Sequence, residues 1–178
     1  MVGMKYQWMI SINHYLKQNI HLSIPLALIL VGLTKVFYLS FAFQIITMVI
    51  MDWTKGILLA LLSAIGFTLL TIIRDQINAP RPYEVLHISP VMPKDTKGHS
   101  FPSRHTFSSV LISGNWIIIY MVQPSLWIMV MIIIHLVMTI YIMISRVVLT
   151  LHFPKDIVAG LVSGILWVIL EVVLFAWF

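Results

Sequence analysis

Apolar stretches long enough to cross a membrane fill most of the chain, and they restrict its fold more than any other feature. A spanning helix needs roughly 20 mostly apolar residues. Residues 56–73, 106–122, 126–144 and about 154–178 each read as one span. The stretch from about Leu22 to Met51 is long for one helix and short for two. Pro25, Gly32 and Lys35 can break it, so five and six spans are both compatible with the sequence. The expected fold is an all-α, polytopic membrane helical bundle.

Composition agrees. Mean hydropathy is +1.00, above that of soluble domains, and six Trp and six Tyr suit membrane interfaces. The length favours a single domain over residues 1–178. Residues 4–20 mix Trp8, Met9, Ile12 and Leu16 with polar neighbours, the pattern of an amphipathic interfacial helix. Residues 78–102, rich in Pro and Lys, form the one long polar loop, read as a re-entrant or surface lid. Met1 to His21 lacks the layout of a cleaved signal peptide and reads as mature protein. The net charge of +5 has no polar, aromatic-interleaved face to bind nucleic acid, so anionic lipid or an anionic substrate is the expected partner. With no cysteine, disulfides, thiolate metal sites and thiol nucleophiles are excluded.

Three polar clusters interrupt this chain. They are Arg74-(six residues)-Arg81-Pro82, Pro102-Ser103-Arg104-His105, and Ser145-Arg146-(five residues)-His152-(three residues)-Asp156. The first ends a span and the second begins the next, so they share a membrane side. Two further crossings return the third cluster to that side. Three distant segments can thus build one interfacial site.

The residue types suit phosphate-ester chemistry. Arg74, Arg81 and Arg146 can grip anionic oxygens through forked, charge-assisted bonds. Ser103 adds a hydroxyl, and the N–H groups from Ser103 to His105 sit at a helix start. His152 precedes Asp156 by about one helical turn, so the carboxylate can orient the ring and free its other nitrogen as nucleophile. His105 can protonate the leaving group. Each residue alone also has a plain reading: an arginine snorkelling at a span end, or a His–Asp surface pair. A metal site is disfavoured, because the arginines would repel a cation. Order, spacing and shared side favour a joint role.

Together the clusters resemble the signature of the type-2 phosphatidic acid phosphatase (PAP2) superfamily: Lys-x6-Arg-Pro, Pro-Ser-Gly-His and Ser-Arg-x5-His-x3-Asp. The match covers residues 74–156. Arg74 stands in for the lysine, and Arg104 takes the place of the glycine. The resemblance implies a helical bundle, usually of six helices, and hydrolysis through a phosphohistidine without metal or cofactor. It implies His152 as nucleophile, Asp156 as its partner and His105 as general acid. Arg74, Arg81, Ser103 and Arg146 would hold the phosphate. Arg104 either points to solvent and headgroups or contacts a second anionic group, such as part of a diphosphate.

Other polar residues carry weaker expectations. Glu171 is read as a structural hydrogen bond or a position near the opposite interface, and His135 as a hydrogen-bonded interior residue. Tyr83, Glu84, His87, Lys94, Lys97 and His99 are either headgroup contacts or a solvated loop face. Gln44 and Asn115 have no role assignable from sequence.

The expected substrate is a membrane lipid phosphate, with undecaprenyl diphosphate and phosphatidylglycerol phosphate ahead of phosphatidic acid. A lipid phosphotransferase would share every motif, whereas a non-enzymatic lipid-binding or transport subunit would not need both histidines and Asp156. Six spans leave the lysines nearly balanced across the membrane; five place Lys5 and Lys17 beside Lys94, Lys97 and Lys155 and point the site inward. The resemblance implies a bacterial cytoplasmic membrane with the site facing outside.

Overall fold

The computed structural model describes residues 5–92 and 96–177. Lys94 therefore lies outside the described residues. Among them are six helices and one helical turn, and no strand. The helices are α1 (Gln7–Gln18), α2 (Ile20–Met51), α3 (Trp53–Ile77), the turn α4 (Pro82–Val85), α5 (Arg104–Val122), α6 (Leu126–Val148) and α7 (Pro154–Trp177). Five of them, α2, α3, α5, α6 and α7, are long and apolar enough to cross a membrane.

Of the two span counts, the structure has five. Pro25, Gly32 and Lys35 all lie inside one unbroken 32-residue helix, α2, which is about 48 Å long. Pro25 is the sixth residue of the helix, past its first turn; it removes one backbone bond there without ending the helix, as membrane helices tolerate. Lys35 is exposed on the lipid-facing side, where its long stem can carry the ammonium toward the interface.

α5 is the central helix, packed against α2, α3, α6 and α7. Glycines on α7 allow the close approach. A Cβ at Gly160 would lie 2.5 Å from Ser103 O, and one at Gly164 2.9 Å from Val110. Leu30, Phe37, Ile112, Ile142 and Leu149 pack toward one end of the bundle; Met48, Leu59, Trp116, Ile119 and Ile128 pack toward the other.

Polar ties bridge the apolar interior. Glu171 is fully buried; Asn115 Nδ2 donates to its Oε2 at 3.1 Å in the amide orientation that satisfies Asn115, and Ser63 Oγ lies within reach of both Glu171 Oε1 (3.3 Å) and Asn115 Oδ1 (3.2 Å), with one proton to share between them. Glu171 therefore joins α3, α5 and α7. His135 Nδ1 donates to Met131 O at 2.8 Å, and its Nε2 accepts from Ser40 Oγ at 2.7 Å. Gln44 Nε2 donates to Ile112 O at 2.8 Å. In lipid, where water cannot compete, such bonds tie helices together.

α1 lies at the end of the bundle where α3 and α6 finish and α5 and α7 begin. It buries Met9, Asn13 and Leu16, one face of an amphipathic helix. Asn13 Nδ2 donates to Thr150 Oγ1 at 3.0 Å and to Ser89 O at 3.2 Å, and the Tyr6 ring packs at a tilt against Phe153, 4.6 Å between centroids. The amphipathic segment thus braces the loops around the polar clusters.

Candidate active site

The fold brings all three clusters to one end of the bundle. Arg74 lies in the last turn of α3, Ser103 caps α5 and Arg104 and His105 open it, Arg146 lies in the last turn of α6, and Asp156 lies in the first turn of α7. His152 sits in the loop before α7 rather than on the helix. Its Nδ1 lies 3.6 Å from Asp156 Oδ2, so the four-residue spacing still pairs them.

Asp156 is held from several sides. Its Oδ2 accepts from Phe153 N at 3.0 Å, capping α7, and from Ser100 Oγ at 2.5 Å. Its backbone carbonyl accepts from Ser103 N at 2.9 Å, which joins the second cluster to the third. That bond uses the Ser103 amide, which is therefore not available to an anion at this helix start. Ser103 Oγ accepts from Thr106 Oγ1 at 3.0 Å and keeps its own proton to donate.

His152 is almost wholly buried. Burial lowers its pKa to about 4, with Arg81 and Arg146 adding to the drop and Asp156 opposing it. The ring is neutral at pH 7. With Nδ1 facing the carboxylate, the proton sits there and Nε2 carries the lone pair.

Arg74, Arg81 and Arg146 are each about 95% buried. Arg81 is fixed by Nε donating to Gly98 O at 3.0 Å and Nη1 donating to Leu151 O at 3.2 Å. Arg146 Nη2 reaches Thr34 Oγ1 at 3.5 Å. Arg74 Nη1 and Arg146 Nε meet no protein acceptor. Among the described residues, no carboxylate forms an ion pair with any of the three. Buried cations without a directly paired carboxylate are costly, a cost that a bound anion offsets. The chemistry open to this arrangement is recognition of a multiply charged anion beside a neutral nucleophilic imidazole.

His105, on α5, lines a small cavity with Thr34, Phe37, Tyr38 and Ser108. Arg104 lies 5.5 Å from the Phe67 ring centroid and within electrostatic reach of Arg74 and Arg81. It is half-buried rather than fully open to solvent.

The polar loop acts mainly as a brace. Glu84 Oε2 accepts from Arg81 N at 2.7 Å and from Gly98 N at 2.9 Å, and Tyr83 Oη donates to Thr96 O. His99 pairs with Asp75 at 3.0 Å. His87 and Lys97 are exposed.

Ser100, Thr34 and Tyr38 are site residues that the sequence reading missed. Ser100 is fully buried and adjoins both His152 and Asp156. Its only sequence signal is its place two residues before Pro102. Thr34 and Tyr38 come from a helix without any motif.

The fold and site define a polytopic helical membrane protein with three buried arginines and a buried His–Asp pair at one end. The chain belongs to the PAP2 superfamily, whose family model matches residues 54–178. In fold it is similar to the PAP2-type phosphatidylglycerolphosphate phosphatase of Bacillus subtilis, at 20% identity and a TM-score of 0.65, covering 93% of this chain and 91% of that one. It is also similar to LpxE of Aquifex aeolicus, at 24% identity and a TM-score of 0.61, covering 82% of this chain and 86% of that one. No curated protein matches the chain.

Proposed function

We propose that this chain is an integral-membrane lipid phosphatase working through a phosphohistidine. His152 Nε2 attacks the terminal phosphorus, and the N–P bond forms as the P–O bond to the lipid breaks. His105 gives its proton to the leaving oxygen. Water then attacks the phosphohistidine, His105 takes the water's proton, and inorganic phosphate leaves with His152 restored. Asp156 holds the Nδ1 proton and steadies the imidazole as charge develops. Arg74, Arg81, Ser103 and Arg146 bind the phosphoryl oxygens, whose charge they neutralise most strongly in the transition state.

One observation carries this reading: a buried, neutral His152 against Asp156, beside three buried arginines that form no ion pair with a described carboxylate. Family membership supports the same chemistry. The substrate is a lipid phosphate or diphosphate whose tail stays in the bilayer, with undecaprenyl diphosphate and phosphatidylglycerol phosphate foremost. The Bacillus subtilis protein is itself described as a phosphatidylglycerolphosphate phosphatase. We place the protein in a bacterial cytoplasmic membrane with the site end outside, on the strength of the family resemblance. The lysine balance of a five-span chain leans the other way, and a topology reporter at Lys97 decides.

The test is purified protein in detergent, with chelator, against a panel of lipid phosphates. Release of inorganic phosphate, with water the only acceptor, supports the reading. Phosphate appearing only on a second lipid makes the chain a phosphotransferase. No turnover of any lipid, or activity abolished by chelator, counts against both.

A further inference from the structure

Arg104 sits between two environments. On one side are Arg74 and Arg81, whose charges it repels. On the other is Phe67, whose ring its guanidinium faces at 5.5 Å. Phe67 lines an apolar cavity of about 210 Å³ between α2, α3 and α5, with Tyr38, Phe41, Ala64 and Leu111. Tyr38 and Ser108 border this cavity and also the smaller one beside His105. Arg104 lines neither cavity, but its guanidinium lies against Phe67, a wall of the larger one, so a lipid with its phosphate at the arginines and its tail along Phe67 would bring its headgroup linkage near Arg104.

A fourth cation near the buried arginines adds to their mutual repulsion, which a second phosphate offsets better than one phosphate alone. Stacked on Phe67, the guanidinium keeps its forked edge available for an oxyanion. Given the phosphatase reading above, we propose that Arg104 is a specificity residue, holding a second phosphate placed between the reacting phosphate and the lipid tail. The substrate class is then a lipid carrying two phosphates, joined directly or through a short linker, in preference to a simple monoester.

The experiment compares the full-length protein with Arg104→Gly, Arg104→Gln and Arg104→Lys in detergent, on two matched pairs. One pair is the diphosphate and monophosphate of the same polyprenol; the other is phosphatidylglycerol phosphate and phosphatidic acid. Losing one charge-assisted contact lowers the two-phosphate to one-phosphate ratio of kcat/KM by about tenfold or more in the Gly and Gln variants. Arg104→Lys, which keeps the charge but not the forked edge, retains part of that ratio and falls between the wild type and the Gly and Gln variants. The pair whose ratio falls identifies how the two phosphates are joined. Ratios unchanged in both pairs, for variants that still elute and melt as folded protein, overturn the inference alone. A wild-type protein that turns over none of the four lipids overturns the phosphatase reading, and this inference with it. Should the Gly and Gln variants fail to fold, inorganic pyrophosphate against phosphate as competitors of the wild type and Arg104→Lys gives the same answer: no preference for pyrophosphate in either contradicts the second-phosphate site.

Discussion

Ser100 Oγ donates to Asp156 Oδ2 at 2.5 Å, and the same oxygen lies 3.6 Å from His152 Nδ1. The serine and the histidine share one carboxylate oxygen in a site closed to solvent. Removing the hydroxyl leaves the carboxylate less restrained and directs more of its charge to the imidazole. Ser100→Ala should lower kcat by about tenfold with KM nearly constant, since it touches positioning and not phosphate binding. The acidic limb of its pH profile should move up. Measured pH–rate profiles of kcat/KM that are unshifted would reduce Ser100 to a packing residue.

His152 sets the acidic limit of activity. Its folded pKa of about 4 lies below the ordinary histidine value, so the neutral nucleophile persists until pH falls toward that value. The kcat/KM profile should therefore break near pH 4 on the acid side, not near 6.5. The folding consequence has the same sign. The unfolded chain takes up this proton first, so the contribution is intact above about pH 6.5 and is lost as pH falls to about 4, amounting to about 3 kcal/mol. Arg146→Gln removes a repelling cation and should raise the limb. Steady-state kinetics across pH 3.5–8, in roughly half-unit steps, checks both shifts.

Arg146 should show opposed effects on activity and stability. It is buried, its Nε has no protein acceptor, and it forms no ion pair with a described carboxylate. Arg146→Met removes an unpaired buried charge and fills similar volume. Its kcat/KM should fall by about a hundredfold or more while Tm rises. Thermal unfolding in detergent, paired with kinetics, tests this. A lower Tm would mean that the guanidinium is a structural tie.

Gly160 keeps α7 close to the start of α5. A Cβ there would lie 2.5 Å from Ser103 O, and backbone cannot move aside cheaply. Gly160→Ala should push the two helices apart, weaken the Ser103 N to Asp156 O bond and lower both Tm and kcat. Gly32→Ala, whose Cβ would meet nothing within 4 Å, serves as the comparison. It should hold or gain up to about 1 kcal/mol through helix propensity.

Much of this architecture is legible in the sequence because lipid enforces simple rules. Apolar runs give α3, α5, α6 and α7 close to their observed bounds, and counting crossings puts the three clusters at one end. α2 is not legible, because a proline inside a membrane helix need not end it, and the breaking power of Lys35 depends on its exposure. Ser100 and Thr34 are not legible either, because their contacts with Asp156 and Arg146 join residues 56 and 112 positions apart. Glu171 sits outside every motif, and only the fold places Ser63 and Asn115 beside it.

The central claim is that His152 carries the phosphoryl group. Rapid quenching during turnover of a lipid labelled in its terminal phosphate tests it most directly. A covalent, acid-labile and alkali-stable label should map to the peptide holding His152 and vanish in His152→Gln. Turnover without protein-bound label at any time, or a label that survives in His152→Gln, would contradict it.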